Sequence, residues 1–328
     1  MAFFQFTSGA FDMLQLDLNA VFQGAGLAVS AAATTQVTQG VVVTVGTTDH
    51  SFPGQAITPD SHVRLDVASV QTFDLWGDGL TAAADGTFSA GTLNRLSGAA
   101  NPGQPGFNVT GFAVGAAGFS AAAATVSSLD DLALFRQIFD GSDFVQGCGG
   151  DDVFLLGRGN DIYVDGGGQD RVFGGAGRDF VTAGAPGGGS FADTVQGGTG
   201  GDILVNLSGN GTLMGQSGND MLIAGSQDDG LWGGAGQDAF VLGADSGHHR
   251  VMDFNPDQDV LVTPDAVTWF GDLHIVQRGA NTRISFEGWS VVLKNVNVAA
   301  LDFNVFGGAT SIIETAQNAN LAGFDYDV

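Results

Sequence analysis

A chain of 328 residues with 35 acidic and only 10 basic side chains carries a formal charge of −25, which makes a phosphate polymer an unfavourable partner and argues against nucleic acid. Its single cysteine, Cys148, leaves no intramolecular disulfide framework, and no transmembrane segment of the required length and hydrophobicity is present. With 53 glycines the chain is also costly to order, so something beyond an ordinary apolar core must hold it.

Residues 1–126 read as an N-terminal β-rich domain. The opening MAFFQFTSGAFDMLQLDL has no basic residue before Arg64 and so lacks the positive flank of a secretory signal peptide. Strand-like runs stand at MLQLDLNAVF, GVVVTVG, HVRLDVASVQTFDLW and GFNVTGFAVG, punctuated by Gly and Pro at 51–55 and 101–106. The segment is long enough for one domain with its own core. Next, SSLDDLALFRQIF has helical spacing, with Ser127 or Ser128 as N-cap and acidic residues in the first turn. A capping helix over 127–137 would lay Leu129, Leu132, Leu134, Phe135 and Ile138 over the start of the next segment.

From 138 to 243 the chain repeats a nine-residue unit with aspartate sixth and an apolar residue eighth. The clearest copies are GCGGDDVFL from Gly147, LGRGNDIYV from Leu156, GGAGRDFVT from Gly174, GGTGGDILV from Gly197, GQSGNDMLI from Gly215 and GGAGQDAFV from Gly233. Glycines at the first, second and fourth positions permit tight or left-handed turns. Such turns aim carbonyl oxygens to one side and the aspartate adds an anionic oxygen, a hard donor set suited to calcium. The eighth-position residues are Val145, Phe154, Tyr163, Val172, Val181, Val195, Leu204, Leu213, Leu222, Leu231 and Phe240, all apolar or aromatic. They predict an inward stack between two turns per coil.

This pattern resembles the nonapeptide of RTX (hemolysin-type calcium-binding repeat) proteins, in particular those of alphaproteobacterial type secreted by type I systems. The resemblance is specific from about 138 to 262, moderate to the C-terminus and weak before 127. It implies an all-β fold dominated by a parallel β-roll that binds several Ca2+ ions. Successive units alternate sides, giving one row of Asp143, Asp161, Asp179, Asp202, Asp220 and Asp238, and a second of Asp152, Asp170, Asp193, Gly211 and Asp229. Glycine candidates for carbonyl ligands are Gly147, Gly157, Gly159, Gly166, Gly168, Gly175, Gly177, Gly198, Gly200, Gly218, Gly234 and Gly236. The second row is interrupted by Gly211 and by five extra residues before Asp193. If each ion bridges consecutive turns of a row, the unbroken row offers about five sites and the other about one to three. Calcium should then drive folding, because ions that bind only the ordered roll stabilise it by mass action. Free calcium is scarce in cytosol and abundant outside, so the expected location is extracellular, with attachment to the cell surface as an option. Cys148, at a glycine position, serves as a small residue.

Residues 244–306 read as a C-terminal β cap. HRVMDFNPDQDVLV ends the repeats with Asp253, Asn255, Asp257 and Asp259, and resembles the DF-x-P-G-x-D segment after RTX repeats with Gln258 in place of glycine. The runs LHIVQRG, TRISFEG and SVVLKNV come next. Such a cap would cover the open end of a solenoid. The tail 307–328 has a capping-box pattern at Ser311 and Glu314 and closes on Phe324, Asp325, Tyr326, Asp327 and Val328. Acidic residues before a terminal hydrophobe resemble an uncleaved type I secretion signal, which implies that export machinery as a partner.

No catalytic motif emerges. H-E-x-x-H and G-x-S-x-G are absent, and the lone Lys294 argues against a P-loop. His248 and His249 adjoin Asp245 and Asp253, but a loop leaving the roll accounts for them as well as a metal site does. Asp49 and His50 lack a third group. The chain is therefore expected to be a non-enzymatic, calcium-dependent structural protein of the cell surface or extracellular matrix. It would act through self-association or adhesion, with cell-surface polysaccharide a candidate partner. The alternative is an extracellular enzyme or carbohydrate-binding protein with its activity in 1–126, where Phe73, Trp76 and Phe107 would line a cleft.

Overall fold

The computed structural model describes residues 3–6, 25–31, 36–37, 41–45, 48–52, 56–57, 61–67, 71–82, 88–98, 107–123, 128–147, 149–184, 192–242, 247–263, 273–286, 288–301 and 305–308. Cys148, most of the five-residue insertion and the tail with Ser311, Glu314 and the terminal FDYDV lie outside them, as does the expected strand at 13–22. The chain divides into two compact units, Met1–Phe154 and Leu155–Val328.

The first unit is built on an antiparallel sheet in the order Ala25–Ala31, Ser61–Val67, Gln71–Ala82, Phe88–Gly98, Phe107–Gly115 and Phe3–Phe6. The run expected as one strand, HVRLDVASVQTFDLW, is two paired strands, with Val63 opposite Leu75 and Leu65 opposite Phe73. The strand Phe88–Gly98 escapes prediction because FSAGTLNRLSG is rich in small and polar residues. It buries Phe88, Leu93 and Leu96 nonetheless. The alanine-rich Ala116–Ala123 is a short helix, which a reading based on strand runs overlooks. A second helix, Ser128–Ile138, stands where helical spacing places one, and it buries Leu134, Phe135 and Ile138. Phe3–Phe6 also pairs in parallel with Phe144–Gln146, the strand after Asp143, so a strand from the start of the chain covers that edge.

The second unit is a parallel roll. One wall stacks Ile162–Val164, Phe180–Ala183, Ile203–Asn206, Met221–Ile223, Ala239–Val241, Val260–Thr263 and Phe306–Gly308. The other stacks Arg171–Ala176, Thr194–Thr199, Thr212–Ser217, Gly230–Ala235, His248–Val251 and Trp289–Leu293. The register puts eighth-position residues directly over one another. Tyr163, Val181, Leu204, Leu222 and Phe240 align on the first wall, and Val172, Val195, Leu213 and Leu231 on the second. All are at most 2 % exposed, so each coil joins a continuous apolar column it could not form alone. Beyond the last coil, Trp289–Leu293 continues antiparallel into Asn281–Phe286 and His274–Arg278. Among the described residues no helix is long and apolar enough to cross a membrane.

Candidate metal centre

Glycines make the turns before Asp161, Asp179, Asp202, Asp220 and Asp238, and the turn before Asp170. Gly157, Gly159, Gly168, Gly175, Gly177, Gly198, Gly200, Gly218, Gly234 and Gly236 all have positive φ, and the reason goes beyond backbone freedom. A Cβ on Gly177 would collide with the carbonyl oxygen of Gly159 one coil earlier, and one on Gly200 with that of Gly177. Coils stack so closely that only hydrogen fits. In the turn before Asp170 the left-handed residues are Gly167 and Gly168 rather than Gly166. Gln216 holds a second position at φ 76° with a side chain present, a strained placement partly offset by the hydrogen bond its Nε2 donates to Gln196 Oε1 at 2.7 Å.

The first aspartate row is a ladder. Backbone N–H groups of Asp161, Asp179, Asp202 and Asp220 donate to Oδ1 of Asp179, Asp202, Asp220 and Asp238 one coil later, at 2.8–2.9 Å. Asp238 N–H donates to Oδ1 of Asp259 at 3.1 Å. Each carboxylate thus spends one oxygen closing the preceding coil. The other, Oδ2 of Asp179, Asp202, Asp220 and Asp238, is buried with no hydrogen-bond partner. Unsatisfied buried carboxylate oxygens are strongly disfavoured. Burial pushes Asp179, Asp202 and Asp220 up from 3.8 to about 7, and Asp238 to about 6. The ladder bonds oppose that rise, and neighbouring carboxylates add to it for Asp202, Asp220 and Asp238.

The position of Oδ2 gives a test of fit. A Cβ on Gly174 would lie 2.5 Å from both Asp179 Oδ2 and the Gly197 carbonyl oxygen, and one on Gly215 would press on Asp220 Oδ2 and the Gly233 carbonyl. Glycine in the first position therefore keeps open a cradle walled by an orphaned carboxylate oxygen and a carbonyl oxygen of the next coil. Such a hard, all-oxygen cradle fits Ca2+. Asp259 ends the row differently: its Oδ2 accepts the Asn255 N–H at 2.7 Å. Asp253 caps the same end, taking the N–H groups of Gly233 and Gly234 at 3.0 and 2.9 Å.

The second row is uneven. Asp170 N–H donates to Asp193 Oδ1 at 2.8 Å, and Asp165, a first-position residue, joins them in a buried group whose ligand oxygens lie within 4.8 Å of one another. The 23-residue span from Asp170 to Asp193 absorbs the insertion without breaking the ladder. At Gly211 the missing carboxylate is replaced from elsewhere. Asn206 Nδ2 donates to Asp229 Oδ1 at 2.6 Å and to the Gly209 carbonyl at 3.0 Å. Asp229 also accepts the N–H groups of Gly211 at 2.8 Å and Gly225 at 2.9 Å, and lies 3.4 Å from buried His249 Nδ1. Protein donors thus surround Asp229, in contrast to Asp179 or Asp220. Asp143 and Asp152 belong to the first unit, buried one residue ahead of Phe144–Gln146 and Val153–Arg158. Gly147 is a buried first-position glycine there.

Sequence reasoning overlooks Asp165, Asn206, Asp253, Asp259 and His249 as parts of the rows. Asp259 is legible as the next carboxylate after Asp238. Asn206 is not, because its role appears only once the side chain crosses to Gly211.

A family model of the RTX calcium-binding nonapeptide repeat matches the chain in four copies, over residues 140–163, 157–185, 187–205 and 205–240. No curated protein matches the chain. Among solved structures, the extracellular lipase LipA from Serratia marcescens is similar at 20 % identity and TM-score 0.31, over 52 % of this chain and 39 % of that one. The AlgE6R3 subunit of the Azotobacter vinelandii mannuronan C5-epimerase is similar at 23 % identity and TM-score 0.23, over 52 % of this chain and 81 % of that one. The chain thus spans about two fifths of the lipase it matches. The repeat match and the glycine-turned, aspartate-laddered coils identify residues 140–240 as RTX calcium-binding nonapeptide repeats, and the parallel β-roll they build binds Ca2+.

Proposed function

We propose that this is a secreted structural protein of the cell surface or extracellular matrix, ordered by calcium after export and acting through self-association or adhesion. The carrying observation is the row of buried, unsatisfied Oδ2 atoms at Asp179, Asp202, Asp220 and Asp238. A roll that stacks such carboxylates is disfavoured until cations neutralise them, and millimolar calcium is found outside cells. In this reading the ions lie between consecutive turns of the row from Asp161 to Asp238, with glycine carbonyls completing their shells. The second row holds an ion at Asp165, Asp170 and Asp193. Asp229 is compensated by protein donors and holds none. Residues 1–126 serve assembly, the helix after them and the cap to 306 serve closure, and the tail from 307 serves export.

The test is a calcium titration of the full chain, followed together by far-UV circular dichroism and light scattering. Joint appearance of β-structure and large particles supports the reading. A chain that folds but stays monomeric, and that turns over or binds a glycan through residues 1–126, would replace it with a calcium-folded tail on an enzyme or carbohydrate-binding module.

A further inference from the structure

The outer wall of the roll carries an arrangement at odds with the rest of the molecule. Four hydrogen-bonded strands, His248–Val251, Trp289–Leu293, Asn281–Phe286 and His274–Arg278, contain no aspartate or glutamate. They hold three of the chain's ten lysines and arginines, Arg250, Arg283 and Arg278, together with His248 and His274.

Register puts these five on one face. Arg250 opposes Val292, which opposes Arg283; Arg283 opposes Val276; Arg278 opposes Asn281, two residues from Arg283. His248 and His274 reach the same face through Ser290 and Ser285. The alternate residues, Val251, Thr282, Ile284, Val291 and Leu293, are buried on the other side. All five basic side chains are exposed. Among the described residues no carboxylate pairs with the three arginines, and Arg283 is steadied by donating to Ser290 Oγ at 3.3 Å. Two adjoining hollows share His248 and Arg283 and extend to His274 on one side and to Arg250 and Arg278 on the other.

We infer that this face binds an acidic polysaccharide, which makes it the adhesive surface of the proposed extracellular role and rests on that reading. Strands lie about 4.8 Å apart, so Arg250 and Arg283, two strands apart, stand at roughly 10 Å, with Arg278 about 8 Å further on. A row of that length meets successive charges along an extended polymer, whereas one small anion engages a single guanidinium. Guanidinium forks pair bidentately with carboxylate or sulfate. Ser285, Ser290 and Asn281 add hydroxyl and amide groups between the charges, suited to sugar hydroxyls. Nucleic acid fits less well, because the two aromatic residues lining these hollows, Trp289 at 3 % exposure and half-buried Phe286, do not make a row of platforms for successive bases.

The experiment uses the full chain at saturating calcium, titrated with hyaluronan and chondroitin sulfate oligosaccharides, neutral dextran and a single-stranded oligonucleotide over a range of salt. Neither acidic glycan gels with calcium. The expected result is binding to the acidic glycans alone, weakening with salt, and reduced on the order of tenfold or more with a shallower salt slope in Arg250→Gln/Arg283→Gln. That variant should keep the wild-type calcium midpoint of folding, which separates loss of the face from loss of the fold. Equal binding to dextran, or undiminished acidic-glycan binding in the variant, overturns the inference. Tighter binding to the oligonucleotide makes the face a nucleic-acid site instead. Large particles dissolved by the same variant, without glycan binding, make it a contact between copies. Failure of the chain to fold with calcium would instead undo the functional reading on which the inference rests.

Discussion

Asp220 and Asp229 occupy the same place in their repeats, yet their surroundings call for opposite responses to the same isosteric change. Asp220→Asn keeps an oxygen for the Asp202 N–H, bonded at 2.8 Å, and replaces the orphaned Oδ2 with an amide. Without calcium the change removes a buried charge and should be neutral or stabilising. With calcium it removes an anionic ligand. A site held at a hundred times its dissociation constant contributes about 2.7 kcal/mol, so a carboxylate shared by two ions accounts for about 5 kcal/mol. Asp229→Asn turns a donor toward the Gly225 N–H, now 2.9 Å from Oδ2, and weakens the bonds from Asn206 and Gly211. Its cost is about 1.5–3 kcal/mol per charged hydrogen bond lost, and it does not depend on calcium. Urea denaturation at several calcium concentrations, followed by circular dichroism, separates the two, and calorimetry counts the ions. Asp220→Asn should raise the calcium midpoint and lower the ion count; Asp229→Asn should lower the urea midpoint at every calcium concentration and leave the count alone. Equal shifts of the calcium midpoint would refute the distinction between a metal-held and a protein-held carboxylate.

Gly215→Ala should raise the calcium midpoint several-fold, because its methyl enters the cradle between Asp220 Oδ2 and the Gly233 carbonyl; an unchanged midpoint would show that the ion lies elsewhere. Asn206→Ala should cost about 1–3 kcal/mol in urea melts, with or without calcium, by leaving Asp229 short of a donor. Gln216→Gly should stabilise the roll by about 1 kcal/mol, read as a higher urea midpoint, since the φ of 76° then carries no side-chain strain. The pH response has a definite sign. Folded-state values near 7 at Asp179, Asp202 and Asp220 lie above the ordinary 3.8, so protons favour the roll. That contribution is full below about pH 4 and lost as pH rises through 7. Calcium-free protein should therefore gain β-structure in circular dichroism on acidification from about pH 8 to about pH 5, and calcium should bind more weakly in acid.

The roll was legible because its physics repeats. Period nine, a glycine wherever a Cβ would strike the neighbouring coil, and an apolar eighth residue each report a local constraint that recurs in every coil. The interruptions were legible only as gaps: Gly211 marked a missing ligand, but nothing in NLSGNGTLM announced that the Asn206 amide would cross to Asp229. Asp165 likewise reads as one more acidic residue until the turn folds it inward. In the first unit, strand pairing is long-range, and Phe3–Phe6 finds both Phe107–Gly115 and Phe144–Gln146 as neighbours. No local pattern encodes that choice. The basic face escaped notice for a similar reason, since Arg250, Arg278 and Arg283 are scattered in sequence and gathered by register.

The aspartate ladder has a direction. Each carboxylate reaches back to close the coil before it, from Asp179 to Asp161 and onward to Asp259 reaching back to Asp238. The carboxylate that closes a coil is thus supplied by its successor, while Asn160, Asn210 and Asn219 each accept an N–H from the coil that follows. Deleting coils from the N-terminal side leaves every remaining carboxylate bond of this row in place, whereas deleting even the segment with Asp253 and Asp259 strips the last turn of its closure. The carboxylate row is accordingly complete only when its C-terminal end is present, like a zip that engages from one side. The residues after the repeats thus supply the bonds that finish the last turn of the array.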